Sequence, residues 1–357
     1  MNNKNKKLRG SFSAVVVILF LVMAGSLALF SDPAGAQNVK VETSFYTLQE
    51  IVSRIGGEHI ESDSIIPSGA EIHSYEPSPR DIARIENVDL FVYVGSGLEP
   101  WGERVEEMFK QNDITFLKVS DRMDMLPYRE PDIDDFLTET EQDPDHEEEH
   151  NHDETGHNHS PDEDSNGDED DTHHSHDHGH DHGAYDPHVW VDPLNYLEIA
   201  RLVKEELIVL DPENTESYRE NFQDVKDKIT ELDSKFSETL KEKESDLILV
   251  SHAAFSYLGE RYGFKQLAVT GITPHEEPSP RTTHKLIQLA EERGINYIFR
   301  ETLSSPRIVD VLAEEANLEI LTLNPVAGFS EEELAAGENY FTAMEKNLEN
   351  LKKALVD

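Results

Sequence analysis

The chain has 357 residues with 31 Lys and Arg against 74 Asp and Glu, a formal net charge of −43 at pH 7, and no cysteine. A balance this acidic repels nucleic acid and attracts cations, and the missing thiols exclude disulfides and a lipid-modified cysteine. About 320 residues remain after a leader-like N-terminus, more than one hydrophobic core usually serves, so two domains are expected.

Lys4, Lys6, Lys7 and Arg9 precede an apolar run from Ala14 to Phe30, and Ala34-Gly35-Ala36 offers a small-x-small cleavage pattern. Residues 1–36 therefore read as an export signal, with an uncleaved membrane anchor as the alternative because the run is near the lower limit for a spanning helix. Removing four basic residues and Asp32 takes the net charge from −43 to −46.

From residue 37 a strand and helix rhythm sets in. Val39–Ser44, Glu61–Ile66, Leu90–Val94 and Thr115–Val119 read as strands, and Tyr46–Gly56, Pro79–Ile85 and Trp101–Lys110 as helices. Short strands joined by helices imply a parallel sheet covered on both faces.

A charged insertion follows. Eleven histidines lie between His146 and His182, nineteen Asp and Glu lie between Glu139 and Asp186, and no Lys or Arg occurs between Arg129 and Arg201. Dense like charge and low hydrophobicity cannot bury a core, so residues 139–185 are expected to be disordered when metal-free. Neutral imidazole is a common metal ligand, and the tract reads as a collector of weakly held ions beside a tighter site. Imidazole suits Zn, Ni, Cu and Fe alike, so composition does not choose among them.

Two helical stretches come next, Asn195–Val209 and Glu213 to about Lys243, separated by Asp211-Pro212. The second would extend on the order of 45 Å at 1.5 Å per residue, too long for a crossover helix. It is read as a rigid brace between lobes, with a coiled-coil or dimer helix as the alternative. The rhythm then returns: strands at Leu247–Ser251, Gln266–Val269, Tyr297–Arg300 and Ile320–Leu323, and helices at Ala253–Tyr262, Arg281–Arg293, Pro306–Ala316 and Tyr340–Leu355. The expected fold is α/β, two Rossmann-like lobes joined by a single long helix, with a metal site in the interlobe cleft. The expected divisions are a lobe over residues 37–211, a linker helix over 212–243 and a second lobe over 244–357.

In open α/β sheets ligands bind outside the carboxyl ends of the strands. Four positions meet that rule: His73 after the second strand, His188 after the charged tract, His252 directly after Leu249-Val250-Ser251, and Glu338 ahead of the last helix. Three imidazoles and a carboxylate make a near-tetrahedral set that Zn²⁺ accepts. Glu301 is placed either to orient a ligand histidine through its second ring nitrogen or to pair with Arg300 or Arg307. His59, His275 and His284 read as solvent-facing, and Trp101 and Trp190 as packing residues.

The stretches Ile72–Asp81, Asp186–Pro193, Leu249–Tyr262, Glu277–Pro280 and Gly328–Leu351 resemble the solute-binding proteins of zinc and manganese ABC importers, the group with a single rigid interlobe helix. The resemblance covers nearly all of the chain beyond residue 36, and its five motifs occur in order. It implies metal ligands at His73, His188, His252 and Glu338, and a His-rich loop of the zinc-importing branch. It places a histidine at the third ligand in zinc binders and a glutamate in manganese binders; this chain has His252. The resemblance also allows the fourth place to be left to water or filled by a carboxylate from elsewhere.

The implied protein is an exported monomer, not an enzyme. It would capture Zn²⁺ and deliver it to a membrane permease with its ATPase in the periplasm or on the outer face of the cytoplasmic membrane. A Mn²⁺-binding importer component, a metal-dependent adhesin or a metal buffer are the alternatives. A zinc hydrolase fits less well, because it needs an open metal position with a general base, and no His-Glu-x-x-His helix is expected: the spacing at His146-Glu147-Glu148-Glu149-His150 falls in the charged tract.

Overall fold

The computed structural model describes residues 38–128, 133, 136, 185–272, 278–303 and 307–357. The expected export segment, nearly all of the charged tract, His275 and Pro306 lie outside the described residues.

Two four-stranded parallel sheets carry the fold. The first holds β1 (Val39–Thr43), β2 (Ile60–Ser64), β3 (Leu90–Tyr93) and β4 (Thr115–Lys118) in the order β2-β1-β3-β4. The second holds β5 (Leu247–Val250), β6 (Lys265–Ala268), β7 (Tyr297–Arg300) and β8 (Glu319–Thr322) in the order β6-β5-β7-β8. Each sheet repeats one topology, and in each the chain reverses its direction of growth beside the first strand. Ligand crevices form at such switch points, here between β1 and β3 and between β5 and β7. All four residues of β3 and of β5 are buried, as expected of strands covered on both faces.

The helices are α1 (Tyr46–Gly56), α2 (Pro79–Ile85), α3 (Pro100–Met108), α4 (Pro193–Leu210), α5 (Thr215–Leu240), α6 (Ser256–Tyr262), α7 (Pro280–Glu292), α8 (Arg307–Glu315), α9 (Glu331–Ala335) and α10 (Tyr340–Leu355). Their starts follow local chemistry. Ser78 and Asp81 form a reciprocal capping box ahead of α2, Asp192 accepts from Asn195 N at the head of α4, and Asn339 and Thr342 cap α10.

The long helix α5 is shorter than expected, 26 residues or about 39 Å, because residues 212–214 form a separate 3-10 turn. Its buried side chains Tyr218, Val225, Ile229, Leu232, Phe236 and Leu240 lie on one stripe. That stripe packs within the protein against α1, α4, α6 and α10, which uses up the apolar face a coiled-coil partner would need. The helix therefore braces elements from both sheets.

One expectation at a helix end is corrected, and one short helix is added. The helix expected from Ala253 begins at Ser256, because Ala253 N and Ala254 N are drawn to Gly271 O and His252 O in a turn. The short α9 was not anticipated, although Ser330 and Glu333 supply its capping box.

One hydrophobic core runs through both halves, from Phe45 and Leu48 through Trp190 and Tyr196 to Tyr340 and Met344; a second, smaller cluster fills the other face of the second sheet. Polar bonds reinforce the seam. Tyr340 stacks on Tyr196 with centroids 3.8 Å apart, Trp190 Nε1 donates to Pro325 O at 2.8 Å, and Thr47 Oγ1 donates to Val326 O. Val326 itself is buried at φ 55°, a conformation that costs a β-branched residue on the order of 1–3 kcal/mol. The surrounding bonds hold it there, and with it the loop that walls the site.

Candidate metal site

His73 stands in the long loop between β2 and α2. The Glu71 carboxylate accepts the backbone N–H groups of His73 at 2.8 Å and Ser74 at 2.9 Å, and this turn presents the ring. His188 follows Asp186-Pro187 and starts a 3-10 turn over Val189–Val191 that buries Trp190. His252 comes two residues after the end of β5. His188 and His252 are buried and His73 is half-buried.

These three rings meet. Centroids lie 5.1 Å apart for His73 and His188, 5.2 Å for His188 and His252, and 5.6 Å for His73 and His252. The Nε2 of His188 is 3.2 Å from that of His73 and 3.4 Å from that of His252. One donor atom from each of the three falls within 4.8 Å of the others. Zn–N bonds of about 2.0–2.1 Å in a tetrahedron put neighbouring nitrogens about 3.3 Å apart, so the observed separations fit a single small cation held by Nε2 atoms. The cavity they line, with Glu71, Glu301 and Asn324 in its wall, measures about 30 Å³, room for an ion and roughly one or two waters.

The opposite ring nitrogens are held by carboxylates. Asp186 Oδ1 lies 2.8 Å from His188 Nδ1 and accepts His188 N at 2.9 Å. Glu301 Oε1 pairs with His252 Nδ1 and accepts Ser251 Oγ at 2.8 Å. A carboxylate at Nδ1 keeps the proton there and leaves Nε2 unprotonated for metal, which also raises its basicity. Electrostatics follow. Burial pushes His252 down, but the Glu301 charge and hydrogen bond, with Glu71 and Asp186 adding, bring it above its ordinary value. Burial likewise pushes Asp186 up, but the His188 contacts outweigh it and hold the carboxyl low.

Of the four residues expected from the sequence, the structure brings three together. Glu338 is the exception. Its carboxylate pairs with Lys346 and accepts Thr342 Oγ1 at 3.0 Å beside the first turn of α10, and the Lys346 contact holds it below the usual carboxylate range. It lines no part of the cavity. The reason is local: Lys346 lies eight residues on, in the second turn of α10, and offers Glu338 a neighbouring cation.

Glu301 takes the orienting place and not the salt bridge, since Arg300 pairs with Asp310 at 3.0 Å. Asp186 was not singled out from the sequence, although its position two residues before His188 is the available signal. His284 is exposed, and His59 is half-buried, edge-on to Tyr218 at 6.0 Å. Trp190 packs as expected, but also 5.5 Å from the His188 ring.

A family model described as "Zinc-uptake complex component A periplasmic" (ZnuA) matches residues 41–354. The chain belongs to this family. It is 30% identical over 352 residues to the high-affinity zinc uptake system protein ZnuA of Bacillus subtilis, covering 98% of each chain. It is 31% identical over 314 residues to the zinc-binding protein AdcA of Streptococcus pyogenes serotype M6, covering 88% of this chain but 55% of AdcA. The chain therefore spans about half the length of that relative. Among solved structures, the Zn(II)-bound ZnuA-like domain of Streptococcus pneumoniae AdcA superposes with a TM-score of 0.68 at 26% identity, over 90% of this chain and 100% of that one. The relatives are zinc-binding and zinc-uptake proteins of ABC-type transport, and the fold is theirs: two parallel α/β halves with a long helix between.

Proposed function

We propose that the chain is an extracytoplasmic binding protein that captures Zn²⁺ with His73, His188 and His252 and delivers it to the permease and ATPase of an ABC importer. The observation that carries this reading is the pair of Nε2 separations, 3.2 and 3.4 Å, which suit the edge of a zinc tetrahedron. Three nitrogen donors favour Zn²⁺ over Mn²⁺, which prefers more oxygen and a larger coordination shell. Water takes the fourth position, since the Glu338 carboxylate is engaged by Lys346. The protein works by binding, without catalysis, outside the cytoplasmic membrane after export by residues 1–36. The division into lobes over 37–211 and 244–357 with a linker at 212–243 belongs to the same reading.

Metal analysis of protein purified without chelator, followed by Zn²⁺ and Mn²⁺ competition, tests it. One equivalent of zinc that excess Mn²⁺ does not displace is expected; a metal-free protein that prefers Mn²⁺ would overturn it.

A further inference from the structure

The two buried ligands, His188 and His252, come from distant parts of the chain, yet their Nε2 atoms sit 3.4 Å apart. Tyr257 is among the side chains that link the segments that carry them. Tyr257, in the first turn of α6, is 4% exposed. Its hydroxyl donates to the backbone carbonyl of Asp186 at 2.8 Å and accepts the backbone N–H of Leu126 at 2.9 Å, with Met125 Sδ 3.8 Å away. Asp186 N in turn donates to Leu126 O at 2.9 Å, so the phenol is inserted where these two backbones meet. Asp186 is the residue whose carboxylate holds both the N–H and Nδ1 of His188.

On the other side, Tyr257 and His252 belong to one tightly tied turn. Ala253 N donates to Gly271 O at 3.0 Å, Phe255 N to Gln266 Oε1 at 2.9 Å, and Gln266 Nε2 to Ser256 Oγ at 2.7 Å. A turn so constrained transmits the placement of the phenol to His252 as a rigid piece. Metal affinity depends steeply on donor spacing, because Zn–N distances are fixed within about 0.2 Å.

We propose that the Tyr257 hydroxyl is a positioning group for the metal: by gripping the Asp186 backbone it sets the separation of His188 from His252. The proposal rests on those histidines being zinc ligands, and it predicts a role for a residue that touches no metal.

The test compares Tyr257→Phe with Tyr262→Phe. Tyr262 lies five residues on in the same helix, is 7% exposed and donates to Asp233 at 3.0 Å, away from the site, so its variant reports the cost of losing a buried hydroxyl alone. Zinc Kd by chelator competition, the absorption spectrum of the Co²⁺-loaded protein and the melting temperature of metal-free protein are measured for each. Tyr257→Phe is expected to weaken zinc by about tenfold, the lower end of the effect of outer groups on metal affinity, and to change the Co²⁺ spectrum. Tyr262→Phe should lower the melting temperature and leave Kd within about twofold of wild type. Combined with Asp186→Asn, the Tyr257→Phe effect should be less than additive, since both act through His188. A Tyr257→Phe protein with wild-type Kd and Co²⁺ spectrum overturns the proposal. His188→Ala separates the two levels: if it loses zinc while Tyr257→Phe does not, only the positioning role falls, whereas if it binds as wild type the ligand assignment falls and the proposal with it.

Discussion

Glu99 and Glu301 each receive the hydroxyl of a serine at the end of the inner strand that begins its sheet, Ser44 Oγ at 2.5 Å in the first and Ser251 Oγ at 2.8 Å in the second. The backbones match as well, with Ser44 N donating to Val92 O and Ser251 N to Phe299 O, both at 2.9 Å. The next residue separates the two halves. After Ser251 comes His252, whose Nδ1 takes the Glu301 carboxylate; after Ser44 comes Phe45, which packs on Trp190 with centroids 4.8 Å apart. Glu99 has no imidazole to hold and accepts instead from the backbone of Val94 at 3.2 Å and Gly95 at 2.9 Å.

A carboxyl in that setting titrates late. Burial pushes Glu99 up to about 7 from 4.5, against the hydrogen bonds from Ser44, Gly95 and Val94. The folded form then holds its proton more tightly than the unfolded chain, so stability is lost as pH rises through roughly 4.5 to 7, on the order of 3 kcal/mol from this group. Glu99→Gln removes the titration while keeping an acceptor. The variant's stability relative to wild type should improve between pH 5 and pH 8 in urea unfolding of metal-free protein. A difference that stays constant over that range would show that Glu99 is ionised throughout.

Substituting His73, His188 or His252 by Ala should weaken tight zinc binding by at least about tenfold each, since loss of one nitrogen of three costs more than about 1.4 kcal/mol. Glu338→Ala should change Kd little, because its carboxylate serves Lys346 and Thr342. Chelator competition on the four variants checks the set; a Glu338→Ala loss as large as those of the histidines would place that carboxylate on the metal.

Zinc retention should fall with pH in a direction set by His252. A ligand imidazole must be neutral, and the raised affinity of His252 for a proton means that competition begins above the ordinary 6.5. Bound zinc should therefore decline as pH drops through that region and be lost by about pH 5. The metal-free protein behaves oppositely at this group. Its protonated His252 pairs with Glu301, a contribution fully present below the unfolded value and lost as pH rises through the folded one. Equilibrium dialysis of zinc from pH 8 to 5 measures the first effect, and an undiminished zinc content across the range would contradict three neutral imidazoles.

Deleting residues 139–183 should leave one tight zinc per molecule, because the three assembled histidines lie elsewhere in the chain. Weakly held additional ions should disappear with the eleven histidines of the tract. Calorimetric titration of both proteins decides it; loss of the tight site on deletion would move the transported metal to the tract.

Much of this protein is written locally. The parallel strands were legible because buried strands such as Leu247–Val250 are short continuous apolar runs, and α10 because its apolar residues recur at helical spacing. The three histidines were legible because each follows a strand end or a Pro-containing turn, where an open α/β fold exposes ligands. What required the tertiary structure were the choices made between competing partners. Arg300 took Asp310 and left Glu301 to His252; Lys346 took Glu338, which lines no part of the cavity; Tyr257 reached a backbone carbonyl 71 residues away in sequence. Propensity and periodicity report one residue's surroundings along the chain, whereas a charge or hydroxyl commits to whichever partner the folded packing brings within about 3 Å.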